Sequence, residues 1–390
     1  MRFSVVLALL PLATAIPTAK RATPAPLLTR DVQQAHMADK YIVKFKEGSP
    51  MSIVQDALKH VTGDATHQFE HIFQGFAAKL DKQTVDLLRY LPDVDYIEQD
   101  GTGSSTGYVT QTGSTWGLGR ISHRQKGSTS YVYDSSAGKG VCAYVTDSGV
   151  DERHPEFEGR AHQIKSFIQG SNIDDLGHGT HCAGTIGSKS YGVAKQIEIY
   201  GVKVLSAQDS FQYSDLIAAY DFIAQDSPKR NCPNGVVVSG SLGGSKSQSL
   251  NDAANKMVDR GYFMAVASGN NNDNASYYSP ASASKVCTVG GSDSSDRRYT
   301  QSNYGPDVNI IGPAVSVLST LPNNDSAYYT GTSMATPHIA GLAAYLASRD
   351  GVKVTPSFCG KIQDMATKNA IVDQSYNTVN LLAFNGNPSG

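Results

Sequence analysis

Beyond residue 140 the chain alternates two kinds of stretch, and that alternation limits its fold more than any other feature. Residues 141–146, 197–204, 236–241 and 262–268 are short and rich in apolar or β-branched side chains. Between them lie longer helix-compatible stretches, including 214–225 and 250–260. Strands separated by helix-length crossovers are laid down parallel. The pattern therefore predicts an α/β fold, a mainly parallel β-sheet flanked by helices. No internal repeat is apparent.

The chain has 390 residues, enough for more than one folded unit. Near the N-terminus Tyr41, Val43 and Phe45 alternate with polar residues, and Ile53, Val54, Ala57, Leu58 and Val61 recur at helical spacing. A second round follows: residues 76–80 as strand, Val85 and Leu88 on a short helix, and 94–97 as strand. This reads as a small α+β domain over about residues 40–98. Residues 16–39, rich in Ala, Pro and Thr, read as unstructured. The stretch 101–114, dense in Gly, Ser and Thr, reads as an exposed and cleavable linker.

Arg2, the apolar run 5–12 and Ala13-Thr14-Ala15 form a secretory signal over residues 1–15. That run is too short to span a bilayer, and no later stretch approaches the roughly 20 apolar residues required. A secreted, extracellular protein with no membrane partner is expected. A net charge of −2 without a basic run offers no field for nucleic acid.

All five cysteines (Cys142, Cys182, Cys232, Cys287 and Cys359) lie beyond residue 140. In an exported chain an odd count suggests two disulfides and one free thiol, with three connectivities open for any four. Cys182 directly follows His181, so a Cys–His nucleophile competes with the commoner buried thiol.

Three motifs carry the chemistry: Thr146-Asp147-Ser148-Gly149, His178-Gly179-Thr180-His181 and Gly331-Thr332-Ser333-Met334-Ala335. They supply a carboxylate, an imidazole and a hydroxyl. A serine attacks an acyl carbon at neutral pH only if an imidazole takes its proton and a carboxylate orients that imidazole. Asp147 ends an apolar run, where open α/β sheets place their ligands. His178 stands at a helix start. Ser333 precedes a helix with Ile339, Leu342, Ala343 and Leu346 on one face, so its hydroxyl sits near unpaired backbone N–H groups. Taken singly, Asp147 could form a turn and Ser333 cap a helix. His178 and His181 could together bind a metal, but the Glu of a His-Glu-x-x-His pattern is missing. The order Asp, His, Ser is that of subtilisin.

On these motifs the chain resembles the subtilisin-like serine endopeptidases, most closely the secreted fungal proteinase K group. The likeness runs from about Trp116 to the C-terminus. It includes Trp116-Gly-Leu, His154-Pro-Glu-Phe-Glu-Gly, Tyr191-Gly-Val-Ala-Lys, Asn231-Cys-Pro, Ser302-Asn-Tyr-Gly and Val379-Asn-Leu-Leu-Ala. Residues 41–45, 75–80 and 96–98 likewise resemble the inhibitory prodomain of that family, which blocks the cleft until it is cut away. The resemblance implies a propeptide over 16–108, cleavage after Tyr108, and a catalytic domain over 109–390.

It further implies disulfides Cys142–Cys232 and Cys287–Cys359 with Cys182 free, His178 rather than His181 as base, and Asn270 with the Ser333 N–H as oxyanion donors. Ser241, Leu242, Gly243, Ala267, Ser268 and Gly269 are expected to line the primary pocket. None is charged, so a broad preference for an apolar or aromatic residue before the cut follows. The expected partners are protein or peptide substrates and the chain's own prodomain, with the enzyme a monomer.

Two stretches depart from the family pattern. Asp209-Ser210-Phe211 stands where the family usually has two glycines flanking a serine, in the segment that pairs with extended substrate. Asn309 and Ala370 stand where carboxylates would hold calcium, so no cofactor or metal is expected. Asn274-Ala-Ser and Asn324-Asp-Ser fit the glycosylation pattern.

Overall fold

The structure is a computed structural model describing residues 21–29, 36–101 and 107–390. The signal at residues 1–15 lies outside the described residues. The chain divides into two compact units, Met1–Ser105 and Thr106–Gly390.

The first unit is α+β. Its five-stranded sheet runs Leu27–Leu28, Val94–Gly101, His36–Phe45, Gly75–Lys79, His67–Phe69, with the helices Met51–Leu58 and Lys82–Arg89 between strands. The alternating Val43 and Phe45 point into a core with Val54, Phe76, Leu88, Val94 and Ile97. Asp81 caps the second helix by accepting from the Thr84 N–H at 2.7 Å. Part of the stretch read as unstructured is ordered: Leu27–Leu28 pairs with Val94–Gly101, and Ala25 is fully buried. Composition misses this because the segment gains its order from a neighbouring strand.

The second unit holds a nine-stranded sheet. Its order is Thr367–Lys368, Leu381–Leu382, Ile310–Pro313, Cys287–Ser292, Phe263–Ala267, Val236–Gly240, Cys142–Asp147, Glu198–Lys203, Ala161–Ser166. Every pairing in it is parallel except that of Thr367–Lys368 with Leu381–Leu382. The four strands and two helices expected from sequence are present as Cys142–Asp147, Glu198–Lys203, Val236–Gly240, Phe263–Ala267, Tyr213–Asp226 and Gln248–Asp259.

The helix Thr332–Arg349 is buried almost all round and packs against the central strands and the helix His178–Gly187. Its run of Ala with Ile339, Leu342 and Leu346 suits a helix sunk in the core. Each large side chain there contributes about 1.5–3 kcal/mol of burial.

A second expectation needs correction. Within the stretch read as an open linker, Tyr108–Thr112 is a strand, paired antiparallel with Ser130–Asp134. The disulfides are Cys142–Cys232 and Cys287–Cys359, and Cys182 is free and buried. Among the described residues no helix is long and apolar enough to cross a membrane.

Candidate active site

The strand order reverses at Cys142–Asp147. From it the chain builds Ala161–Ser166 and Glu198–Lys203 on one side, then Val236–Gly240 and its successors on the other. Such a switch point leaves a crevice outside the strands' carboxyl ends. Asp147 is the last residue of that strand, and His178 is the first of the helix His178–Gly187. The helix can approach the strand end because position 179 is glycine. A Cβ there would collide with the Gly149 carbonyl oxygen.

His178 Nδ1 lies 2.7 Å from Asp147 Oδ1, which also accepts from the Ser148 N–H at 2.7 Å. The carboxylate is fully buried. Burial of the imidazole opposes its charging, but the adjacent Asp147 carboxylate outweighs that, and His178 is held well above the ordinary histidine range. Asp147 therefore fixes the tautomer that leaves Nε2 as the proton acceptor.

A buried network that sequence does not reveal locks this pair. Asp174 accepts from Ser148 Oγ at 2.7 Å, Gly177 N at 2.8 Å, Thr180 N at 2.8 Å and Thr180 Oγ1 at 2.6 Å. Ser148 Oγ in turn accepts from Gly179 N at 2.8 Å. Strand end and helix start are thus tied through one carboxylate. Lys203, also buried, donates to the carbonyls of Ser148 and Leu205 and to Asp175.

Ser333 is the second residue of its helix, so its N–H has no intrahelical acceptor. Pro337, four residues on, lacks the N–H that would normally bond the Ser333 carbonyl. That carbonyl accepts from Ser241 Oγ at 2.8 Å and from Cys182 Sγ at 3.5 Å. In return Ser333 Oγ donates to the Ser241 carbonyl at 2.9 Å. The expected continuous line of three groups is thus drawn only at its acid–base end. Ser333 and His178 line the same cleft, and the serine hydroxyl rests on Ser241.

Asn270 follows the strand Phe263–Ala267. Its Oδ1 accepts from Thr332 N at 2.8 Å and Thr332 Oγ1 at 3.0 Å. With the oxygen so engaged, the amide N–H groups are the free end of the side chain. Asn303, fully buried and not singled out by sequence as a site residue, clamps this loop. It accepts from Asn271 N and Asp273 N and donates to the Ser268 carbonyl.

Two cavities meet at Ser333. A cleft of about 640 Å³ is lined by His178, Ser241, Asn270, Ser333 and a wall including Tyr328 and Tyr329. A smaller pocket of about 180 Å³ is lined by Leu242, Gly243, Ala267, Ser268 and Gly269, joined by Tyr278, Ser279 and Ala281. Among the described residues no charged side chain lines the smaller pocket. Ser241, expected in that pocket, lines the larger cleft. Tyr278 and the Tyr328–Tyr329 wall lack any local motif, since only the fold brings them here.

Cys182 Sγ lies 3.9 Å from His178 Nδ1, the nitrogen Asp147 already holds, and burial pushes the thiol upward. A protonated thiol on that side of the ring is no nucleophile. His181 turns away, with Nε2 against the carbonyls of Val317 and Ala327 and its ring stacked on Tyr329. Burial lowers it to about 4, so it is neutral. Asp147, His178 and Cys182 are the one group of potential metal ligands gathered within 4.8 Å among the described residues. Asn309 Oδ1 accepts from Thr288 N at 2.7 Å, and Ala370 packs in an apolar cluster. Asn324 is exposed, whereas Asn274 is half-buried and accepts from Ser276 N.

With this geometry in place, the comparisons are specific. Residues 138–382 match the subtilase family, and residues 40–103 match the peptidase inhibitor I9 family. The chain is 51% identical over 388 residues to a cuticle-degrading protease of Metarhizium anisopliae, covering 99% of this chain and 100% of that one. It is 49% identical over 389 residues to proteinase R of Parengyodontium album, covering 99% of each. A crystal structure of a cold-adapted subtilisin-like serine proteinase aligns with a TM-score of 0.66 at 37% identity. It covers 70% of this chain and 99% of that one.

Proposed function

The chain belongs to the subtilase family and is a serine endopeptidase carrying an inhibitor-type prodomain, and from that premise we propose how its residues work. The Ser333 hydroxyl swings from the Ser241 carbonyl to His178 Nε2, gives up its proton and attacks a peptide carbonyl. Asp147 stabilises the imidazolium that forms. The Asn270 amide and the Ser333 N–H receive the developing oxyanion, a contribution worth about 10²–10³ in turnover for one such donor. His178 then protonates the leaving amine, and water releases the acyl group.

The Asp147–His178 bond, in a cleft shared with Ser333 and Asn270, supports this assignment most strongly. The uncharged smaller pocket supports an apolar or aromatic residue before the cut, with broad preference. Residues 1–15 act as signal, 16–108 as propeptide and 109–390 as the mature, monomeric enzyme. Tyr108 and Val109 are both exposed but begin the strand paired with Ser130–Asp134, so cleavage between them requires that end of the strand to open. The enzyme acts outside the cell on structural proteins such as cuticle or keratin and contributes to virulence, without nucleic-acid or membrane partners. Of the two glycosylation patterns, the exposed Asn324 is the better acceptor.

Hydrolysis of casein and of a chromogenic peptide, with and without a serine-directed organophosphonate, tests the reading. Correctly processed protein should hydrolyse both and lose this activity to the inhibitor. A processed protein that cleaves neither is a binding module on a protease scaffold.

A further inference from the structure

Among the described residues, the larger cleft is lined by one acidic or basic side chain besides His178, and the catalytic cycle does not use it. Asp209 stands at the cleft rim beside Leu205 and Phe211. It is exposed, and among the described residues its carboxylate has no hydrogen-bond or ion-pair partner. The turn that carries it is built rather than loose. Ser206 N donates to the Ser210 carbonyl at 2.9 Å, Asp209 N donates to the Ser206 carbonyl at 3.1 Å, and the two serine hydroxyls meet at 2.9 Å. Asp209 has a φ of +56°, the left-handed conformation that Asp tolerates better than most residues.

Phe211, two residues on, is half-buried and tilted against Tyr213 at 5.7 Å between ring centroids. It packs on the apolar cluster that contains Leu242. Leu242 also lines the smaller, uncharged pocket, so the Asp209–Phe211 wall adjoins the pocket's side of the cleft. Substrate residues flanking the one held in that pocket lie along the larger cleft, which this wall lines. There they meet an aromatic ring and an unpaired carboxylate, the combination that receives a lysine or arginine.

Resting on the protease assignment above, we propose that Asp209 with Phe211 selects a lysine or arginine at a substrate position preceding the residue held in the primary pocket. The enzyme then combines an uncharged requirement at the cut with a cationic preference upstream of it. Polypeptides rich in basic residues are the favoured class.

The test is kcat/KM on fluorogenic peptides that share an aromatic residue before the cut. The two, three or four positions upstream are varied in turn among lysine, norleucine and glutamate. At one of those positions the lysine peptide should exceed its norleucine counterpart by about 3- to 10-fold, an exposed ion pair plus a cation–π contact. The ratio should shrink as sodium chloride is raised. Asp209→Asn keeps a residue suited to positive φ and should bring the ratio to about one, and Asp209→Lys should favour glutamate. Equal rates for lysine and norleucine peptides at all three positions overturn the inference, as does a preference that survives Asp209→Asn. Failure to cleave any peptide in the set overturns the protease assignment itself and the inference with it.

Discussion

The orientation of Asn270 depends on Thr332, and replacing Thr332 with valine tests that dependence. Thr332 is fully buried, and its hydroxyl gives Asn270 Oδ1 one of two bonds. The other comes from its own backbone N–H. Valine keeps the shape and that N–H but removes the hydroxyl. A neutral hydrogen bond is worth about 0.5–1.5 kcal/mol net, which at about 1.4 kcal/mol per decade is roughly 2- to 12-fold. Because one anchor remains, the loss should stay below the 10²–10³ expected for removing the donor. It should fall on kcat, since the oxyanion forms only in the transition state. Gly269 N, which reaches the same hydroxyl at 3.3 Å, also loses its acceptor, so the melting temperature should drop slightly. Thr332→Ser retains the hydroxyl and should recover most of kcat. Steady-state kinetics on one chromogenic peptide decides the matter. Unchanged kcat in Thr332→Val, or a loss confined to KM, refutes the reasoning, as does Thr332→Ser behaving like valine.

His178 must be neutral to accept a proton, and Asp147 holds it above 6.5. The acid limb of the kcat/KM profile should therefore break above pH 6.5, with activity lost as pH falls; a break below 6 contradicts this. Asp296→Ala should cost about 3–5 kcal/mol, because Arg120, bonded to it at 2.7 Å, would be a buried unpaired charge. Urea denaturation measures this. Replacing Cys142 and Cys232 together opens a link across 90 residues and should cost about 2–5 kcal/mol by the same measurement. Iodoacetamide should leave Cys182 untouched in the native protein and label it once the chain is unfolded. Because Asn309 is committed to Thr288 N, added calcium should raise the melting temperature little, and a large rise would contradict that.

Much of this was legible in the sequence because the chemistry sits on local signals. Asp147 closes an apolar run, His178 opens a helix of small residues, and Ser333 begins another. Each function coincides with an element boundary that composition marks. The missed parts depend on tertiary partners. Ala161–Ser166 and the glycine-containing Cys287–Ser292 are strands only because neighbours pair with them. The strand Tyr108–Thr112 lies in a stretch whose composition reads as linker, and Ser130–Asp134 orders it. Asp174 and Asn303 look like ordinary loop residues until folding surrounds them with donors. Pro337 would be expected to break a helix, yet its missing N–H leaves the Ser333 carbonyl open to Ser241.

Labelling with a fluorophosphonate, followed by peptide mass spectrometry, reaches the central claim most directly. One equivalent should be incorporated per processed chain, on Ser333, and none in Ser333→Ala. His178→Ala should slow the reaction by several orders of magnitude. Label on Cys182 or on another serine, or casein hydrolysis at the wild-type rate by Ser333→Ala, would contradict the account.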